Sequence, residues 1–258
     1  MLDAALDAAL DLVTGSSCVG CATPGRMVCR ACRAALPRTA SLVWPDPVPP
    51  GLVQPWAEAP YDDLVRALVV GHKERGQLVH ARVLGGLLAT SVAAAVGAGG
   101  AATRHAPVVL VPVPSRPGVV RSRGHDPTAA IVRHAARRLH RAGMAVQVAA
   151  LVVSRGAQDQ AGLDQRERAA NVTGSMWCPS RRVAALGRRL RRASFVVCDD
   201  VITTGATARE AQRALAAAGV PPLAVATVAA TRRRSGEGAG GPDPGQGRGS
   251  LPRSPGTR

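Results

Sequence analysis

The stretch 195–207, FVVCDDVITTGAT, constrains this chain more than any other: an apolar run, two adjacent carboxylates, then a Thr/Gly loop opening a helix. Phe195, Val196 and Val197 predict a buried strand, which in an open α/β sheet delivers its carboxyl end to a ligand crevice. Asp199 and Asp200 stand at that end. Carboxylates there accept hydrogen bonds from vicinal ribose hydroxyls. Thr203, Thr204, Gly205, Ala206 and Thr207 offer hydroxyls, backbone N–H groups and a helix N-terminus to a phosphate. A diol at one end and a phosphate at the other describe a ribose 5-phosphate.

An Asp-Asp pair at a strand end can also simply cap the next helix, but capping explains neither the paired acids nor the three threonines around Gly205. The chain carries no Walker phosphate loop and no glycine-rich dinucleotide fingerprint after a strand. The segment resembles the 5-phosphoribosyl-1-pyrophosphate (PRPP) loop of type I phosphoribosyltransferases: four apolar residues, two acidic ones, then Thr-Thr-Gly-x-Thr.

Length and composition set the frame. A chain of 258 residues with 46% apolar content can bury a sizeable core, either as one large domain or as an α/β domain with small attachments. Aromatics are only 2%, so the core must rest on Val, Leu and Ala, and little is left for stacking single-stranded bases. The net charge of +16 rests almost wholly on arginine, with Lys73 the single lysine. Heavy arginine use weakens this charge as a nucleic-acid signal. Part of the excess lies in the Gly/Pro/Ser-rich stretch 232–258, where six arginines face two acids; this composition predicts a disordered basic tail, either solvated or bound to anionic polymers. The N-terminal stretch is acidic and amphipathic with no basic n-region, so it predicts a helix and not a secretory signal. The apolar stretch 77–96 is interrupted by His80, Arg82 and glycines, which favours a buried helix over a membrane span. A cytoplasmic protein without membrane insertion is expected.

Cys18, Cys21, Cys29 and Cys32 form C-x2-C-x7-C-x2-C, two knuckles around a turn with Pro24 and Gly25. Four thiolates at this spacing can close a tetrahedron around structural Zn2+, with no open position for water. Two disulfides or unligated thiols are the alternatives, and disulfides are disfavoured without secretion. Cys178 and Cys198 read as inert.

Along the chain, 1–36 reads as an N-terminal helix and four-cysteine zinc module and 37–60 as a proline-rich extended connector, with Trp44 and Trp56 folding back on a neighbour. The main α/β domain spans 61–231, followed by the tail. Helices are predicted over 61–73, 77–96, 128–141, 164–170 and 205–218, and strands over 108–113, 146–153, 195–197 and 223–230. This alternation implies a mostly parallel sheet flanked by helices.

Following the strand VVLVPVP, the segment SRPGVVRSRGHDP gathers Ser115, Arg116, Arg121 and Arg123. Alone it would read as a solvated basic loop. Beside a PRPP loop it suits a pyrophosphate site, because guanidinium matches phosphate oxygens bidentately. The order of the cysteine knuckle, Lys73, VPVPSR, an Arg-Gly turn, Gln160-x-x-Leu163, Arg168-x-x-Asn171-Val172 and DDVITTGAT is similar to the ComF (competence protein F) family across 18–231. That resemblance implies a type I phosphoribosyltransferase-like fold with a zinc-ribbon-like module, and PRPP bound with Mg2+. It also implies phosphoribosyl transfer to an acceptor, or a non-catalytic, PRPP-responsive factor that binds single-stranded DNA and works with DNA-uptake machinery. Asp199 and Asp200 would hold the ribose hydroxyls and favour a cationic ring; Arg116, Arg123 and Lys73 would face pyrophosphate. Lys73 could instead neutralise a helix C-terminus, and Arg168 and Asn171 fit a helix end as well as a ligand contact. The family's Arg-Gly-Phe-Asn-Gln stands here as Arg123-Gly124-His125-Asp126-Pro127, and His125 reads as structural or solvated rather than as a base.

Overall fold

The computed structural model describes residues 17–100, 106–115, 125–154, 173–186, 190 and 193–231. The sequence-predicted helices at the N-terminus and over 164–170, the basic tail, and Arg116, Arg121, Arg123, Gln160, Leu163, Arg168 and Asn171 lie outside them.

The chain is α/β. A six-stranded sheet has the order β1-β2-β8-β7-β3-β4, in which only the two-residue edge strand β1 (Ser41–Leu42) runs antiparallel, against β2 (Pro55–Pro60). Parallel pairs join β2 to β8 (Ala224–Ala230), β8 to β7 (Ser194–Ile202), β7 to β3 (Val108–Pro112) and β3 to β4 (Val146–Val148).

Strands covered on both faces read as continuous apolar runs, and the packing shows why. Val108, Leu110, Val196, Cys198, Ala226 and Val228 point into one apolar cluster, while Val109, Val111, Phe195, Val197 and Val225 point into the other. The first cluster is covered by α2 (Asp63–Glu74), α3 (His80–Ala98) and α4 (Pro127–Arg141). The second is covered by α6 (Ala206–Ala217) together with Leu52, Leu151, Val152 and Met176. Fully buried leucines such as Leu84 and Leu88 each contribute about 1.5–3 kcal/mol through apolar burial.

Helix α3 is long and apolar enough by composition to cross a membrane, yet Leu84, Leu88 and Val92 are buried in the core, and the Ser91 hydroxyl donates to the Thr227 carbonyl at 2.8 Å. Helix α4 starts where its chemistry directs: Pro127 occupies the first turn, and the Asp126 carboxylate accepts from the Ala129 N–H at 3.0 Å.

Two sequence expectations are corrected. The stretch 146–153 does not form one strand: after β4, the turn at Ala149–Leu151 sends the chain into β5 (Val153–Ser154), which pairs with β6 (Met176–Trp177) in a separate two-stranded sheet. The proline-rich stretch 37–60 is more than a connector, because it supplies β1 and β2. The segment just before β2 is equally engaged: α6 donates from Arg209 Nε to the Pro50 carbonyl and from Gln212 Nε2 to the Gly51 carbonyl, both at 2.8 Å, and Gln212 Oε1 accepts the Val53 N–H at 3.0 Å. Trp44 packs against the second cluster, as a folded-back aromatic should.

An ion pair between the buried Glu210 and the partly exposed Arg213 fixes the small sheet to α6. Both oxygens of the Glu210 carboxylate accept from Arg213, at 2.7 and 2.8 Å, and one also accepts the Met176 N–H at 3.0 Å. The preceding short helices are α1 (Arg30–Ala34), inside the cysteine module, and α5 (Ser180–Ala184).

Candidate functional site

Strand β7 carries its apolar run through the acidic pair to Ile202, so Asp199 and Asp200 belong to the strand itself, near its carboxyl end. The chain then turns at Gly205, whose φ of +73° is the left-handed conformation that glycine adopts without strain, and α6 begins at Ala206. A Cβ at Gly205 would meet Pro45 Cγ at 3.0 Å, Leu52 Cδ2 at 3.2 Å and Pro49 Cγ at 3.3 Å. The proline-rich segment therefore buttresses the loop from behind, and any side chain there would crowd it as well as strain the backbone.

A cavity of about 450 Å³ opens at this end of the sheet, within the size range of small-molecule sites. Asp199, Asp200, Thr203 and Thr207 line it from β7 and the turn into α6, Ser115 from the end of β3, and Lys73 from the last turn of α2. Thr204, Gly205 and Ala206 form the turn beside it; the Ala206 N–H donates to Thr204 Oγ1 at 3.4 Å. Arg116 and Arg123 lie outside the described residues. Tyr61, Glu74 and Thr128 also line the cavity and were not singled out from the sequence. Tyr61, the only tyrosine in an aromatic-poor chain, was the one legible hint.

Electrostatics differ across the acidic pair. Asp200 is buried, and its Oδ2 lies 2.5 Å from Lys73 Nζ. Burial pushes the Asp199 carboxyl well above the ordinary range, the neighbouring Asp200 charge adds to this, and Lys73 opposes it. Burial works against the Lys73 ammonium, but Asp200 and then Asp199 outweigh it and raise its pKa, so the lysine stays charged. The backbone also holds the pair: Asp199 Oδ1 accepts the Asp200 N–H, and Asp200 Oδ1 the Val201 N–H, both at 2.9 Å.

Second contacts orient the walls. Ser115 Oγ donates to Asp126 Oδ1 at 3.0 Å, so the helix-capping carboxylate of α4 also fixes this hydroxyl. His72 is fully buried, and its Nε2 donates to the Pro127 carbonyl at 3.0 Å, tying the end of α2, and hence Lys73, to the start of α4. His125 lies against this histidine, with ring centroids 6.3 Å apart.

The Sγ atoms of Cys18, Cys21, Cys29 and Cys32 all lie within 4.8 Å of one another, and all four are free thiols. Sulfurs placed about 2.3 Å from a tetrahedral zinc are separated by about 3.8 Å, so the cluster suits such a metal. Cys18 feels burial, which raises its pKa, but N–H donors led by Cys29 bring it down to about 6. Cys32 is pushed up to about 12, first by Cys21 and then by Cys18 and Cys29. Sulfurs this crowded cannot all ionise without a cation among them. Val19 and Cys32 pack with Leu64 of α2 against the first core cluster, which seats the module on the sheet domain. Cys198 is fully buried with its thiol pushed up by that burial, and Cys178 is raised for the same reason.

Compared with known proteins, the chain matches no protein-family model and no curated protein.

Proposed function

We propose that this chain binds PRPP in the β7–α6 cavity, on a type I phosphoribosyltransferase-like fold similar to the ComF family, and transfers its phosphoribosyl group to an acceptor with release of pyrophosphate. One observation carries this reading: Asp199, Asp200, Thr203, Thr207, Ser115 and Lys73, drawn from three distant stretches of sequence, line one cavity at the carboxyl ends of β3 and β7. Ligands of open α/β sheets bind at such ends.

In this reading the ribose hydroxyls donate to the acidic pair, with Asp199 the more accessible partner. Thr203, Thr207 and the α6 N-terminus hold the 5-phosphate, turning remote binding energy into orientation at the anomeric carbon. Lys73 supplies positive charge beside the carboxylates and toward the leaving group; Arg116 and Arg123 belong to the same proposal by sequence. The carboxylates are hard oxygen donors of the kind Mg2+ takes. Bound with PRPP, Mg2+ would offset the charge that grows on pyrophosphate. The four thiols would hold a structural Zn2+.

Calorimetry tests the site. Mg-dependent PRPP binding is expected for the wild type and not for the double variant Asp199→Asn, Asp200→Asn; undiminished binding by that variant would remove the assignment. Pyrophosphate release across a panel of bases then separates a transferase from a non-catalytic PRPP-responsive protein.

A further inference from the structure

A second cavity, of about 900 Å³, shares no lining residue with the first. Six arginines line it: Arg33 and Arg38 from and just after α1, Arg82 from α3, and Arg137, Arg138 and Arg141 from α4. Among its lining residues there is one carboxylate, Glu58 of β2. Glu58 is 8% exposed, and its Oε2 has no hydrogen-bond partner. A buried carboxylate oxygen left unpaired is costly, which marks it as a place for a ligand donor.

Other features narrow the ligand. Leu78 and Val79, also on the lining, are 55% and 40% exposed, so the cavity presents bare apolar surface beside its guanidinium groups. Gly86 lines it too, and a Cβ there would meet nothing within 4 Å, so the α3 wall is open at that point. Guanidinium forks fit phosphate oxygens, apolar side chains fit a ring face, and a recessed carboxylate oxygen fits an amino group. A nucleic-acid backbone offers the first of these to a surface but no donor that reaches a buried oxygen. A mononucleotide has all three, and the volume accommodates one.

We infer that this cavity is a second ligand site, for a nucleoside monophosphate whose base carries an exocyclic amino group. The phosphate lies among the arginines, the base against Leu78 and Val79, and the amino group donates to Glu58. Burial raises the Glu58 pKa to about 7, so above that pH, where Glu58 is ionised, uracil is disfavoured because its ring N–H is flanked by two carbonyl oxygens that a carboxylate repels. The site is separate from the proposed PRPP cavity and does not depend on that reading.

Calorimetry on the full chain with AMP, GMP, CMP and UMP, inorganic phosphate and an oligothymidylate tests it. At least one of AMP, GMP and CMP should bind, with UMP and phosphate weaker by about tenfold or more. Glu58→Gln should erase the preference over UMP, and Arg138→Gln with Arg141→Gln should abolish binding. Gly86→Leu pushes a side chain into the cavity without changing charge and replaces a mid-helix glycine, so it should fold normally and bind the nucleotide at least about tenfold more weakly. Binding at this cavity should persist in Asp199→Asn with Asp200→Asn, which alters only the first cavity. Binding that survives Gly86→Leu but vanishes in the Asp199, Asp200 variant, binding of the oligonucleotide alone, or no nucleotide binding overturns the inference.

Discussion

Lys73 and Asp200 meet at 2.5 Å where the end of α2 crosses the carboxyl end of β7, so the chain's single lysine neutralises the most buried acid of its candidate site. The pairing depends on His72, one residue earlier, which anchors α2 to Pro127. Charge balance in the cavity is thereby built into the helix packing.

Replacing Lys73 with Met should destabilise the fold by about 1–3 kcal/mol, less than a fully buried pair would lose, because the lysine side chain is 34% exposed. Adding Asp200→Asn should restore part of the loss, since it removes the carboxylate left without its partner. Urea unfolding of the two single variants and the double variant measures the coupling; strict additivity would mean the pair contributes nothing.

Gly205→Ala should cost more than Gly76→Ala. Both glycines have positive φ, +73° and +66°, and each substitution forces a left-handed alanine at roughly 1–2 kcal/mol. Only at Gly205 does the new methyl meet Pro45, Leu52 and Pro49 at 3.0–3.3 Å, whereas at Gly76 nothing lies within 4 Å. Thermal melts of the two variants give the difference, which is the contribution of the proline buttress.

Elemental analysis of the purified protein should find one zinc per chain, and Cys21→Ser should lower it in proportion to loss of the cluster. Chelation at neutral pH should loosen the module on α2, visible as faster amide exchange at Val19 and Leu64. A zinc content unchanged in Cys21→Ser would place the metal elsewhere.

Glu58 and Glu210 should give stability slopes of opposite sign. Burial raises Glu58 from 4.5 to about 7, with Thr90 and Arg138 opposing, so the folded state holds the proton more tightly than the unfolded state. Stability therefore falls as pH rises from 4.5 to 7, and Glu58→Gln should flatten that fall. At Glu210 burial raises the pKa, but Arg213 and the Met176 N–H more than offset it and leave it lowered. Its contribution is present above 4.5 and lost as pH falls below it, so Glu210→Gln should remove part of the acid sensitivity. Denaturant titrations at several pH values read both slopes.

The elements legible in the sequence were those whose burial shows in composition. The runs around Val109 and Val196 are apolar throughout because both sheet faces are covered, and α4 announces itself through Asp126-Pro127. Strand β2 did not, since PWAEAP holds two prolines and a glutamate and becomes a strand only through its register with β8. The stretch 146–153 misled for the reverse reason: it is apolar but for Gln147, yet its two ends pair with different partners. At the candidate site, residue types and order identified the acids and threonines, while the Lys73–Asp200 contact joins residues far apart in sequence and leaves no local trace.

The place of β2 bears on how the chain can be divided. The sequence marks residue 61 as the start of the main domain, yet β2 ends at Pro60 and lies alongside β8 from Pro55 to Pro60. A polypeptide beginning at residue 61 would carry the acidic pair and its loop but would leave β8 as a long, apolar, unpaired edge, open to association with other chains. It would also lack the prolines behind Gly205. The smallest autonomous unit that includes the candidate site must therefore reach back through the proline-rich stretch.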